Sequence, residues 1–110
     1  MALKPLVFQV LLSLADGERH GWSLVREVQE RGGFSRIMPG NFYRTLRAML
    51  ADGLIEEVQA RDRARSRDAD DRRRYFRLTA EGTEAVTGEA RRLEALVIES
   101  RAKKLLTRTR

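Results

Sequence analysis

Residues 38–55 (MPGNFYRTLRAMLADGLI) constrain the fold more than any other part of the chain. At about 100° per residue, Phe42, Leu46, Met49 and Leu50 fall on one side of a helix, and Asn41, Arg44, Arg47 and Ala48 fall roughly opposite. Such a helix buries its first face and leaves the second to water or a partner. Gly53 stops it, and the chain runs on through Leu54 and Ile55 into a strand. This is how a DNA-reading helix leads into a wing. Arginine and asparagine can make bidentate contacts to guanine and adenine, and small Ala48 between them lets the backbone approach a groove. An ordinary amphipathic surface helix has the same periodicity, so this segment alone leaves both readings open.

The flanking segments supply the context. Leu3, Leu6, Val7, Val10, Leu11 and Leu14 have helical spacing and predict a first helix with a buried face. The run 6–15 also resembles a secretory leader, but the charged region before it is a lone Lys4 followed by Pro5, and it is too short to span a bilayer. It is read as the first core helix of a cytoplasmic protein. A turn at 16–21 precedes a short second helix, in which Trp22, Leu24, Val25 and Val28 are spaced for a core and which ends at Gly32-Gly33. Residues 34–38 form a linker, and Pro39 opens the third helix at a position where its missing N–H costs nothing. Residues 54–59 and 72–78 alternate as two strands, with Phe76 and Leu78 inward and Tyr75 and Arg77 outward. Between them, 60–71 carries almost no apolar residue and reads as a long hairpin loop. Thr79 is a fair N-cap for a last helix, with Glu81 in its first turn.

In that last helix Val86, Ala90, Leu93 and Val97 are spaced 4-3-4, the seam of a coiled-coil-like contact. A helix reaching Leu106 would be about 42 Å long, more than a domain of this size covers by itself. The stripe is therefore expected to meet a second subunit in a homodimer, while a contact with the first helix can coexist. The fold class expected is mainly α with a small β-hairpin: a winged helix-turn-helix over residues 1–78 and a long C-terminal dimerisation helix with a basic tail over 79–110.

Charge points the same way. Lys and Arg number 22 against 16 Asp and Glu, and the excess is clustered: eight Arg face four Asp between Arg61 and Arg77, and five cations stand without an acid from Arg101 onward. A polyanion is the expected partner for such clusters. The absence of cysteine excludes disulfides and thiolate metal sites.

Three stretches carry a resemblance. His20-Gly21-Trp22, then Pro39-Gly40-x-x-Tyr43-x-x-Leu46-x-x-x-Leu50 with Gly53-Leu54-Ile55, then Arg74-Tyr75-Phe76-Arg77-Leu78-Thr79-x-Glu81-Gly82 are similar in order and spacing to the PadR family of transcriptional regulators, in its small form with one C-terminal helix. The resemblance implies a dimer, usually a repressor, whose two recognition helices enter successive major grooves of double-stranded DNA while the wings follow the backbone. It implies a phosphate contact for Tyr43, with Asn41, Arg44 and Arg47 on the exposed face. Met38, Asn41 and Arg44 depart from the family's usual small hydroxyl residue, threonine and proline, and the wing is longer and less glycine-rich. An operator sequence therefore does not carry over. The wing arginines Arg63, Arg65, Arg67 and Arg73 are expected to neutralise phosphate.

The remaining chemistry-bearing residues have plainer readings. His20, the sole histidine, is expected to hydrogen-bond locally at a helix entry, since no ligand cluster accompanies it. Trp22 is read as a core anchor in preference to a stacking platform. Glu56 and Glu57 read as exposed strand carboxylates beside a basic loop; no nucleophile with a nearby base and no phosphate-cradling loop is visible, so no enzyme, metal or cofactor is expected. The function expected is a sequence-specific DNA-binding repressor open to relief by a small apolar ligand. A winged-helix protein-interaction module and a nonspecific nucleic-acid binder are the alternatives.

Overall fold

The computed structural model describes residues 2–32, 37–58 and 74–106. Its elements run α1 (Pro5–Leu14), β1 (Arg19–His20), α2 (Gly21–Arg31), α3 (Pro39–Ala51), β2 (Ile55–Glu57), β3 (Tyr75–Leu78) and α4 (Ala80–Ala102). Each helix begins and ends for a local reason. Proline stands at the first position of α1 and of α3, where the preset φ suits the helix and no N–H is missed. The ring of His20 caps α2 by accepting the Ser23 N–H at 3.2 Å, which is the local hydrogen bond expected of it. Gly53 takes a φ of 78° at the end of α3. Its N–H donates to the Leu50 carbonyl at 3.1 Å, and the Leu54 N–H donates to Met49 at 3.0 Å. That pair of bonds closes the helix and turns the chain into β2.

The core lies where α1, α2 and α3 meet the sheet. Val10, Leu11, Leu24, Val28, Phe42, Leu46, Met49, Ile55 and Phe76 are buried there. Leu3, Leu6 and Val7 pack against its rim, so the apolar face expected for α1 is the one that is covered. Between α1 and α2 the buried Ser13 hydroxyl is satisfied by Arg31, whose Nη2 donates to it at 2.7 Å.

The sheet has three strands, not two. β3 is central, antiparallel to β2 (Ile55 opposite Leu78) and to β1 (Arg19 opposite Phe76). The segment read as a turn at 16–21 thus contains a two-residue strand, recruited because the second edge of β3 needs partners for its backbone groups. Phe76 is buried as expected. Glu56 pairs with Arg77 across the sheet at 2.7 Å, and Glu57 with Arg74 at 2.9 Å.

Thr79 caps α4 by accepting the Gly82 N–H at 3.0 Å. A Cβ on Gly82 would overlap the Leu54 carbonyl, so glycine lets α4 start hard against the exit of α3. The helix spans 23 residues and ends at Ala102, short of Leu106. Lys104, with a φ of 64°, turns the chain away, while its N–H donates to Arg101 and that of Leu105 to Ser100, both at 2.9 Å. At 1.5 Å per residue α4 is about 34 Å long. Only its first half is covered. The radius of gyration, 16.0 Å, exceeds the roughly 13 Å of a compact chain of this length because the second half projects. Among the described residues, no helix is long and apolar enough to cross a membrane.

Candidate nucleic-acid interface

The buried residues of α3 are Phe42, Leu46 and Met49. Directly opposite, Arg44, Arg47, Ala48 and Ala51 are exposed, and Asn41 and Tyr43 stand exposed at the two edges. All four residues expected on α3 therefore reach solvent. The Thr45 hydroxyl is turned back onto the Asn41 carbonyl at 3.0 Å and does not contribute a free donor.

Electrostatics single out two of these side chains. The neighbouring arginines are neutralised: Arg19 by Glu27 and Asp16 at 2.7 and 3.0 Å, Arg74 by Glu57, and Arg77 by Glu56. Among the described residues Arg44 and Arg47 have no carboxylate within ion-pair distance. Two like charges one turn apart on a helix repel, at a cost of a few tenths of a kcal/mol. An anionic surface that met this face would remove that repulsion and gain two charge-assisted contacts.

Beside this face lies a cleft of about 250 Å³ between the first turn of α2, α3 and the start of β3, with Trp22, Tyr43, Arg47, Arg74 and Phe76 in its walls. Trp22 is 57% exposed. The reading of Trp22 as a core anchor is therefore wrong. In α2 the core positions are Gly21, Leu24 and Val28, spaced i, i+3 and i+7. Trp22 is off that stripe by about a third of a turn, a signal the sequence contained and that hydrophobicity alone obscured. Arg74 is likewise a residue of this surface that strand patterning did not mark.

A second cleft, of about 630 Å³, separates residues 2–7 from the other edge of α3, with Leu3, Leu6, Met49 and Leu54 facing Asn41 and Asp52. Its outer wall is tied to α4. The buried Glu89 carboxylate, 4% exposed, accepts two bonds from the Arg92 guanidinium at 2.8 Å. These bonds hold its pKa below the usual carboxylate range against the opposing effect of burial, and the Leu3 N–H adds to them.

Along α4, Val86 is buried in the chain's own core, Leu93 is half-buried, and Ala90 and Val97 are exposed on the same stripe. Leu96 and Ile98 beside them are 50% and 60% exposed. The wing arginines Arg63, Arg65, Arg67 and Arg73 lie outside the described residues. Among the described residues no cluster of three or more His, Asp or Glu could hold a metal ion.

Residues 10–88 match the profile of a family described as "Transcriptional regulator PadR-like family". Over 91 residues the chain is 38% identical to the transcriptional regulator Rv3488 of Mycobacterium tuberculosis, covering 82% of this chain and 77% of that protein. It superposes on a Streptococcus transcriptional regulator with a TM-score of 0.72 at 29% identity, covering 90% of this chain and 91% of that one. Its fold also matches a PadR family transcription regulator from Clostridium difficile, with a TM-score of 0.70 at 22% identity over 94% and 100% of the two chains.

Proposed function

The chain belongs to the PadR-like family of transcriptional regulators, and from that premise we propose that it is a dimeric repressor acting in the cytoplasm, with residues 1–78 reading double-stranded DNA and 79–110 joining two subunits. One observation carries the reading. The outward face of α3 bears two guanidiniums that no described carboxylate neutralises, directly opposite the residues that anchor the helix in the core. In this reading Arg44 and Arg47 meet base edges, Asn41 supports them, and the Tyr43 hydroxyl touches a phosphate. Arg63, Arg65, Arg67 and Arg73 add affinity without discrimination.

Dimerisation is supported by the stripe on α4. Val86 begins the face inside the subunit's own core, and Ala90, Leu93 and Val97 continue it past the end of that core, where a second α4 would cover it together with Leu96. Relief by a small apolar ligand is supported by the larger cleft, whose apolar walls flank the Asn41 edge of α3.

Selection of duplexes from a random pool, followed by competition of the selected duplex against random duplex, tests the proposal. A preference of at least about 10³ is expected. Arg44→Ala or Arg47→Ala should relax discrimination at one or two base pairs per half-site by about 1–3 kcal/mol, without changing the unfolding midpoint. Equal affinity for both duplexes would instead indicate a nonspecific nucleic-acid binder. Absence of any DNA binding would favour a protein-interaction module.

A further inference from the structure

The cleft beside Trp22 has a form that the reading of α3 does not require. Trp22 offers a large apolar ring to solvent at a place where the backbone is held firmly: His20 caps the helix beneath it, and the Gly21 N–H donates to the Arg74 carbonyl at 3.3 Å. The opposite wall is Tyr43, which approaches the start of α2 closely because residue 21 is glycine; a Cβ there would stand 3.1 Å from Tyr43 Cε1. Phe76 lies in the wall below, with the Arg74 guanidinium carbon 5.6 Å from the centre of its ring. Glu57 takes one Arg74 N–H, so Arg74 is fixed in place and Arg47 supplies the uncompensated charge. No acidic side chain lines the cleft.

We infer that this cleft seats the sugar-phosphate backbone of duplex DNA, with a phosphodiester against Arg47 and the Tyr43 hydroxyl and the adjoining deoxyribose on the Trp22 ring. Three features select that occupant. The volume, about 250 Å³, is below the range of roughly 300–1,000 Å³ typical of small-molecule pockets and suits one sugar-phosphate unit. The walls pair apolar rings with a cation, matching the apolar sugar and the anionic phosphate. The cleft is continuous with the outward face of α3, since Arg47 and Tyr43 belong to both; a duplex docked on Arg44 and Arg47 brings a backbone strand alongside. Trp22 is then a positioning contact that sets the depth and tilt of α3 in the groove, independent of base sequence.

The inference rests on the DNA-binding reading, and one experiment separates the two. Trp22 is the sole tryptophan, so its emission reports on this cleft alone. The full chain is titrated with a labelled random duplex of about 30 bp at low salt, which favours backbone contacts. Label anisotropy reports binding, and quenching of Trp22 by acrylamide reports access to the ring. Quenching should fall by at least about half on binding, because a 57% exposed ring becomes covered. Trp22→Ala should weaken random and selected duplexes alike by about fivefold, the size of one net hydrogen bond. Trp22→Phe, which keeps a ring, should recover part of that loss, and both variants should retain the wild-type unfolding midpoint. A rise in anisotropy with unchanged quenching would overturn the inference and leave the DNA-binding reading intact. No rise in anisotropy would overturn both.

Discussion

Replacing Thr79 by valine removes one hydroxyl and keeps the volume, and that hydroxyl joins two elements. It accepts the Gly82 N–H at 3.0 Å, capping α4, and it donates to the carbonyl of Gly53, the residue that closes α3. Loss of the cap costs about 1 kcal/mol. Loss of a half-buried bond to a backbone carbonyl costs about another 1 kcal/mol. Both bonds use one oxygen, so about 2 kcal/mol is the upper figure for Thr79→Val. For a chain of this size about 4 °C accompanies each kcal/mol, giving a fall in the unfolding midpoint of up to about 8 °C. Thermal unfolding followed by circular dichroism, at one fixed protein concentration because dimerisation contributes to stability, measures it. Thr79→Ser keeps the hydroxyl and should stay within about 2 °C of wild type. A valine variant as stable as wild type, or a serine variant as damaged as the valine one, would refute this account of the junction. Because the junction sets the direction of α4 relative to α3, the valine variant should also lose more affinity for a two-half-site duplex than for a single half-site.

Three further outcomes follow from individual contacts. Glu89 has its folded pKa lowered by Arg92, so its stabilisation is present above the usual carboxylate range and lost as pH falls through the depressed value. The difference in unfolding midpoint between wild type and Glu89→Gln should be constant near neutral pH and shrink on acidification; a gap that does not change with pH would remove Glu89 from the account. Lys104→Gly should stabilise the last turn of α4 by about 0.5–1 kcal/mol, since glycine adopts the positive φ without a Cβ clash. Slower amide exchange at residues 104 and 105 is the readout, and equal or faster exchange would contradict it. Leu93→Asp should weaken dimerisation at least about tenfold by placing an unpaired charge in the seam. Sedimentation decides this, and a wild type that is monomeric at tens of micromolar, about the range in which a specific dimer persists, would remove the premise.

Much of this protein is legible residue by residue. The faces of α3 follow from the spacing of Phe42, Leu46 and Met49, its end follows from Gly53, and the start of α4 follows from Thr79, because each depends on helix period and on backbone groups a few residues apart. Beyond that range the sequence was ambiguous. Arg19 and His20 carry no strand pattern, and they pair only because β3 has an open edge in three dimensions. Glu56 and Glu57 looked alike until the register set each against a different arginine. The sequence by itself determined the helices, their caps and the division of α3 into a core face and a cationic face. Only the tertiary structure decided that Arg44 and Arg47 stay unneutralised while Arg74 and Arg77 do not, that Trp22 lies outside the core, and that α4 runs on past its own domain. Those outcomes depend on which distant side chains come within a few ångströms of one another, and local periodicity does not encode that distance.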